Sequence, residues 1–138
     1  MSKAIDNLTG ALKRGEAIRP RVSGFPYLAE ALRQAGVARN IWSLPSCQSL
    51  FLTADGPVVM QGGPLVTGAH DVPAFDESAL IKALRIDQAG ESTLPEFLSA
   101  SWQAGVVRYE VDLEARTVSY QGCKGEEYVE AYPAVSIG

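Results

Sequence analysis

FPYLAEALRQAGVAR, residues 25–39, returns as LPEFLSASWQAGVVR at residues 94–108. The offset is 69, half of the 138-residue chain, and it holds without a gap for residues 25–66 against 94–135. Eleven of these 42 positions are identical: Pro26/Pro95, Ala31/Ala100, Gln34/Gln103, Ala35/Ala104, Gly36/Gly105, Val37/Val106, Arg39/Arg108, Leu44/Leu113, Gly56/Gly125, Pro64/Pro133 and Val66/Val135. Unrelated segments of this composition share about three. Leu28/Phe97 and Phe51/Tyr120 keep further positions apolar or aromatic. The chain reads as an internal duplication. Two copies are too few for a solenoid and predict a closed pair related by a pseudo-two-fold axis.

Each copy reads helix, helix, three strands. Ile5, Leu8, Ala11 and Leu12 recur at helical spacing. They predict a helix capped by Ser2 or Asp6, running to about Arg14, with Gly15 as its stop. Pro26 opens a second helix, striped by Phe25, Leu28, Ala29 and Leu32 and ended by Gly36. In the second copy Asp76 caps a helix through about Arg85. Thr93 and Glu96 then stand at capping-box spacing, and Gly105 ends that helix. After each terminal glycine the period becomes two. Val107, Tyr109, Val111 and Leu113 alternate with Arg108, Glu110 and Asp112. Residues 117–121 and 126–132 continue as strands, matched by 37–44, 47–53 and 58–61 in the first copy. Short turns make each triplet an antiparallel meander, and residues 67–74 link the copies. The expected fold is α+β: a duplicated helix-helix-three-stranded meander, its two pseudo-two-fold halves sharing one core. Residues 1–138 form one domain of two repeats, about 1–69 and 70–138.

Composition is that of an ordinary globular chain, 46% hydrophobic and 20% charged, with a net charge of −4. That balance excludes a general polyanion binder, and no nucleic-acid partner is expected. No apolar run approaches the roughly 18 residues of a membrane span, so no membrane partner is expected either. The first residues lack a signal peptide's apolar stretch, and two cysteines with one histidine suit the reducing cytosol. Residues 1–69 hold seven basic and four acidic side chains, net +3, whereas residues 70–138 hold five and twelve, net −7. Such asymmetry is either solvated drift or complementarity, within the chain or between the chains of a homodimer.

Chemistry-bearing residues are few. Cys47 is a nucleophile only if the fold brings His70, the lone histidine, beside it; otherwise it is a buried structural thiol. Cys123 and Cys47 are expected to stay reduced and unpaired. No spacing groups these residues as metal ligands, so neither metal nor cofactor is expected. Glu110 and Asp112 share a strand face, with Glu126, Glu127 and Glu130 nearby in sequence. Residues 122–125, Gly-Cys-Lys-Gly, read as a hairpin turn before an anion nest. Tyr109, Tyr120, Tyr128 and Tyr132 fall on alternating strand positions, as core packing or as a ligand surface. Arg39/Arg108 is the repeated pair that core packing does not demand, and symmetry would bring both guanidinium groups to the seam. The candidate binding residues are Arg39, Arg108, Tyr109, Cys47, Tyr128 and Glu130.

The runs GFPYLAEALRQAGV (24–37), WSLPSCQSL (42–50), GVVRYEVDL (105–113), GEEY (125–128) and EAYP (130–133) resemble a small bacterial family of unknown function. Some of its members are encoded in prophages and some carry the label "phage envelope protein". The resemblance spans nearly the whole chain and implies no activity, cofactor or catalytic residue. An envelope role does not suit an acidic chain read as cytosolic and is not adopted. Two functions remain. One is non-enzymatic binding of a small molecule or partner protein in the crevice between the halves. The other is a small enzyme using Cys47 or the acidic strand cluster, with Arg39 and Arg108 orienting an anionic substrate.

Overall fold

The computed structural model describes residues 2–138. The order is α1 (Lys3–Ile18), α2 (Phe25–Gln34), β1 (Val37–Ser43), β2 (Gln48–Thr53) and β3 (Gly56–Gln61), then α3 (Glu77–Gln88), α4 (Leu94–Gln103), β4 (Val106–Asp112), β5 (Thr117–Gly122) and β6 (Glu127–Ala131). All strands join one antiparallel sheet in the order β3-β2-β1-β4-β5-β6. The fold is α+β, a helix-helix-three-strand unit used twice.

The offset of 69 holds residue for residue from α2/α4 through β1/β4 to β2/β5. Irregularities recur at the same places. Both first strands shift register, between Val37 and Arg39 and between Val106 and Arg108. Cys47 and Arg116, 69 apart, take left-handed turns with φ of 54° and 57°. The offset becomes 70 at the last hairpin, because Phe51 faces Val58 whereas Tyr120 faces Tyr128, eight residues on. The second turn holds one extra residue, braced by Glu126 Oε1 accepting from the Lys124 N–H at 2.8 Å. The identities Gly56/Gly125, Pro64/Pro133 and Val66/Val135 are therefore one place out of structural register.

Helix ends follow local chemistry. Ser2 Oγ accepts from Ile5 N at 3.1 Å, and Asp76 Oδ1 from Ala79 N at 3.0 Å. Thr93 and Glu96 form the reciprocal capping box, with bonds of 2.8 and 3.3 Å. One expectation is corrected: Gly15 does not stop α1, which continues to Ile18. A Cβ at Gly15 would lie 2.3 Å from Leu28 Cδ1 and 3.2 Å from Leu28 Cα, so this glycine lets α1 and α2 approach.

The halves meet where β1 pairs with β4. Arg39 faces Asp112, Ile41 faces Glu110 and Ser43 faces Arg108. Ile41 and Glu110 are equivalent at the offset of 69, so the pseudo-two-fold axis passes between them. All helices cover one face of the sheet. Leu8, Leu32 and Phe51 of the first half share a single buried cluster with Leu80, Leu84 and Phe97 of the second. The other face carries Arg39, Ile41, Leu50, Arg108, Glu110 and Ser119, none fully buried.

Gly36 and Gly105 both end helices, at φ 91° and 85°, yet their surroundings differ. A Cβ at Gly36 would meet only the Ala54 methyl at 3.2 Å, whereas at Gly105 it would lie 2.5 Å from Phe75 Cα and 2.6 Å from the Ala74 carbonyl. Gly36→Ala should cost about 1–2 kcal/mol, chiefly the left-handed penalty, with a small shift of Ala54. Gly105→Ala should cost clearly more, because the interrepeat backbone must move. Urea denaturation of both variants checks this, and equal losses would contradict it.

Candidate functional site

The register lays four aromatic side chains in one line across the helix-covered face. Trp42 on β1 faces Tyr109 on β4, Tyr109 faces Tyr120 on β5, and Tyr120 faces Tyr128 on β6. Ring centroids along the row are 6.0, 5.5 and 6.4 Å apart, and Trp42 stacks on Tyr109 with an interplanar angle of 16°. Above the row, α1 packs on α2 and α3 on α4, each pair over its own meander. Between the pairs lies a cleft of about 1060 Å³, walled by Leu12 and Leu28 on one side and Leu84 and Phe97 on the other.

The pseudo-two-fold axis exchanges this row with a second one, Val58–Phe51–Asn40–Val111–Val118–Glu130. Tyr109, Tyr120 and Tyr128 thus correspond to Asn40, Phe51 and Val58. Asn40 is satisfied within the protein. Its Nδ2 donates to Ser49 Oγ at 2.8 Å and to the Leu50 carbonyl at 3.1 Å, and its Oδ1 accepts from Trp42 Nε1 at 2.9 Å. Tyr109 and Tyr120 are only 8% and 6% exposed. Both line the cleft, and neither hydroxyl bonds to another protein group among the described residues. Burial pushes both phenols well above their ordinary pKa, and the negative charges of Asp87 and, at Tyr120, Glu130 add to the effect. They remain neutral hydroxyls across the physiological range.

The cleft closes on a polar cluster. Glu130 accepts from Arg85 Nη1 at 2.9 and 3.0 Å, from Gln88 Nε2 at 2.7 Å and from the Tyr128 hydroxyl at 2.7 Å. Burial works to raise the Glu130 pKa, but the bonds from Arg85, Tyr128 and Gln88 together hold it below the usual carboxylate value. Asp87, in the last turn of α3, accepts from Ser92 Oγ at 3.0 Å. Tyr132 meets Phe25 edge-on at 5.2 Å, and its pKa is pushed up to about 12, chiefly by burial.

Three of the six candidates from the sequence, Tyr109, Tyr128 and Glu130, line the cleft. Arg39 and Arg108 lie on the opposite face of the sheet. They converge on one carboxylate of the second half, Glu110. Arg39 pairs with it and reaches Asp112 at 3.5 Å, and Arg108 reaches Glu110 at 3.3 Å. The arginines sit at the seam, as symmetry predicts, and hold acids of the second half. Cys47 is buried in the β1–β2 turn, donates to the Leu44 carbonyl at 3.5 Å, and has its pKa raised by that burial. His70 is exposed in the interrepeat segment, and neither residue borders the cleft.

Both cysteines are free. The acidic strand residues divide between the faces, with Glu110, Asp112 and Glu127 outside and Glu130 in the cleft. Among the described residues no three His, Cys, Asp or Glu side chains group as metal ligands, and no helix is long and apolar enough to cross a membrane. Sequence reasoning missed Trp42, Arg85, Asp87 and Gln88 as lining residues. A carboxylate at the negative end of a helix, as at Asp87, was the one local signal that could have pointed there.

Fold and site together define a tandem-duplicated α+β protein with an aromatic-floored cleft between its halves. The chain is 53% identical over 135 residues to the uncharacterized proteins Mb2035 of Mycobacterium bovis and Rv2012 and MT2067 of Mycobacterium tuberculosis, covering 98% of this chain and 82% of each relative. It belongs to the family of these mycobacterial proteins. No family model matches it.

The lowered Glu130 pKa carries a sign. An ionised Glu130 stabilises the fold above the unfolded-state value of about 4.3, and that contribution is lost as the pH falls through the lower folded-state value. Glu130→Gln should therefore flatten the acid limb of stability. Urea midpoints measured from neutrality down to about pH 3 should fall less for the variant than for the wild type. Parallel curves would refute the assignment.

Proposed function

We propose that this protein binds a small molecule, without transforming it, in the cleft between its two halves. The observation that carries this reading is the pair of tyrosines, Tyr109 and Tyr120, each more than nine-tenths buried and lining the cleft with an unpartnered hydroxyl. Neither hydroxyl oxygen is sealed off, since Ser101 Oγ alone is buried without a partner among the described residues, so both are open to water or a ligand in the cleft. Phe51, the counterpart of Tyr120, is 4% exposed and fills its place without a hydroxyl. The cleft, about 1060 Å³, is at the upper end of the size typical of ligand pockets. We read residues 1–138 as one domain, because the β1–β4 pairing and the core cross the repeat boundary. Two free cysteines suit a reducing compartment, so the cytosol is where the ligand would be met.

The alternative, catalysis through Cys47, has less support. A buried thiol with a raised pKa holds little thiolate near neutrality. General acid–base work needs a group poised near neutral pH. The shifts at Glu130, Tyr109, Tyr120 and Tyr128 all run away from it.

A small-molecule screen by thermal shift, followed by Trp42 emission, tests the proposal. A ligand at a hundredfold excess over its Kd should stabilise the chain by about 2.7 kcal/mol. Binders should perturb Trp42 and be excluded by Leu94→Trp at the cleft rim. Tyr120→Phe should leave unliganded stability unchanged within about 1 kcal/mol, or raise it, while weakening the ligand. Binders indifferent to Leu94→Trp and silent at Trp42 would overturn the reading.

A further inference from the structure

We propose that the cleft selects a cation: a protonated amine on an apolar body, the body lying on the aromatic row and the ammonium directed to Asp87. This inference rests on the cleft being the binding site and names the class of ligand it takes. Five side chains bordering the cleft carry acidic or basic charge at neutral pH: Glu16, Arg19, Arg85, Asp87 and Glu130. Arg19 is paired with Glu16 at 3.3 Å and Arg85 with Glu130 at 2.9 Å. Asp87 is left over. Its one side-chain partner is the Ser92 hydroxyl, and among the described residues no Lys or Arg lies within ion-pair distance of it.

Asp87 also occupies the last turn of α3, where the helix carbonyls already present negative partial charge. A carboxylate there is unfavourable on its own account, and a bound cation relieves both charges. The aromatic row offers the rest of the site. The row of Trp42, Tyr109, Tyr120 and Tyr128 supplies aromatic surface for the apolar body. The neutral hydroxyl oxygens of Tyr109 and Tyr120 can accept from an ammonium group. Asp87 borders the same cleft as both hydroxyls. An anion fits less well. Its only basic partners, Arg85 and Arg19, are already neutralised by Glu130 and Glu16, and it would sit beside those carboxylates and Asp87.

A matched probe series decides the matter: 3-phenylpropylamine, 3-phenylpropanol and 3-phenylpropionate, titrated calorimetrically into the full chain at neutral pH. The amine should bind at least tenfold tighter than the alcohol, with the carboxylate weakest, and added salt should narrow the gap. Asp87→Asn keeps a partner for Ser92 and should bring the amine down to the alcohol's affinity while leaving the alcohol unchanged. Tyr120→Phe should weaken the amine severalfold. If the alcohol or the carboxylate binds as tightly as the amine in a Leu94→Trp-sensitive manner, selection for a cation is overturned while the cleft remains the binding site. If no probe binds in a Leu94→Trp-sensitive manner, the cation proposal falls together with the cleft reading. The amine–alcohol comparison in the wild-type chain stands even if Asp87→Asn fails to fold.

Discussion

The antiparallel pairing of β1 with β4 is the constraint on which everything else depends. A three-stranded meander carrying two helices has too little apolar area to be secure alone, and its first strand would present an open hydrogen-bonding edge. Joining the halves along that edge removes two exposed edges at once and makes one six-stranded sheet. The register fixes the rest. With Ile41 opposite Glu110, equivalent residues face each other on the axis, and every transverse row on one side is mirrored by a row on the other. The helix pairs, each attached to its own meander, then stand apart over the sheet centre. The cleft is a direct consequence of how the two copies are joined.

Duplication also lets one copy keep a packing role while the other changes. Phe51 and Val58 close the apolar floor in the first half, and Tyr120 and Tyr128 occupy the same places with oxygen added. On the opposite face the difference is electrostatic. Ile41 is the counterpart of Glu110, which takes both Arg39 and Arg108. The contrast in charge between the halves, net +3 against −7, thus acts across the seam through Arg39, while Lys3–Asp55, Arg33–Glu30 and Arg85–Glu130 stay within their own halves. The basic partners in these pairs are largely exposed while their carboxylates are partly covered.

Most of the fold was legible because its signals are local or repeated. Capping at Ser2, Asp76 and Thr93, the terminal glycines 36 and 105, and the alternation along residues 107–113 each depend on near neighbours in the chain. The repeat made every reading twice over. Gly15 misled because a glycine in a helix has two meanings, a stop or a close helix crossing, and only the tertiary contact with Leu28 distinguishes them. The slip of one residue at the last hairpin was hidden because Gly56/Gly125 and Pro64/Pro133 preserve the alignment in sequence while the longer turn shifts the strand. For the site, alternation put Tyr109 and Tyr128 on one face, but the long-range register decided what joined them. Trp42 enters the row only through β1–β4 pairing. Arg85 and Asp87 enter only because α3 lies over β5 and β6. The same register sent Arg39 and Arg108 to the far side, an outcome that strand parity permits but a single sequence does not choose.

The tyrosines make the strongest case that the cleft is more than a packing defect. Drift that merely loosens a core replaces large apolar side chains with smaller ones and leaves dry, featureless space. Here the second copy holds the larger side chains, Tyr109, Tyr120 and Tyr128 against Asn40, Phe51 and Val58, and they stack in register from one strand to the next. Trp42, Tyr109 and Tyr120 pack against one another, and the two tyrosine hydroxyls open on the cleft without a protein partner. Rigid aromatic faces lose little conformational entropy on binding, and preorganisation of this kind raises affinity without added contacts. On the proposed reading this floor is the surface a ligand would meet, and the unneutralised carboxylate at the end of α3 sets the charge it would favour.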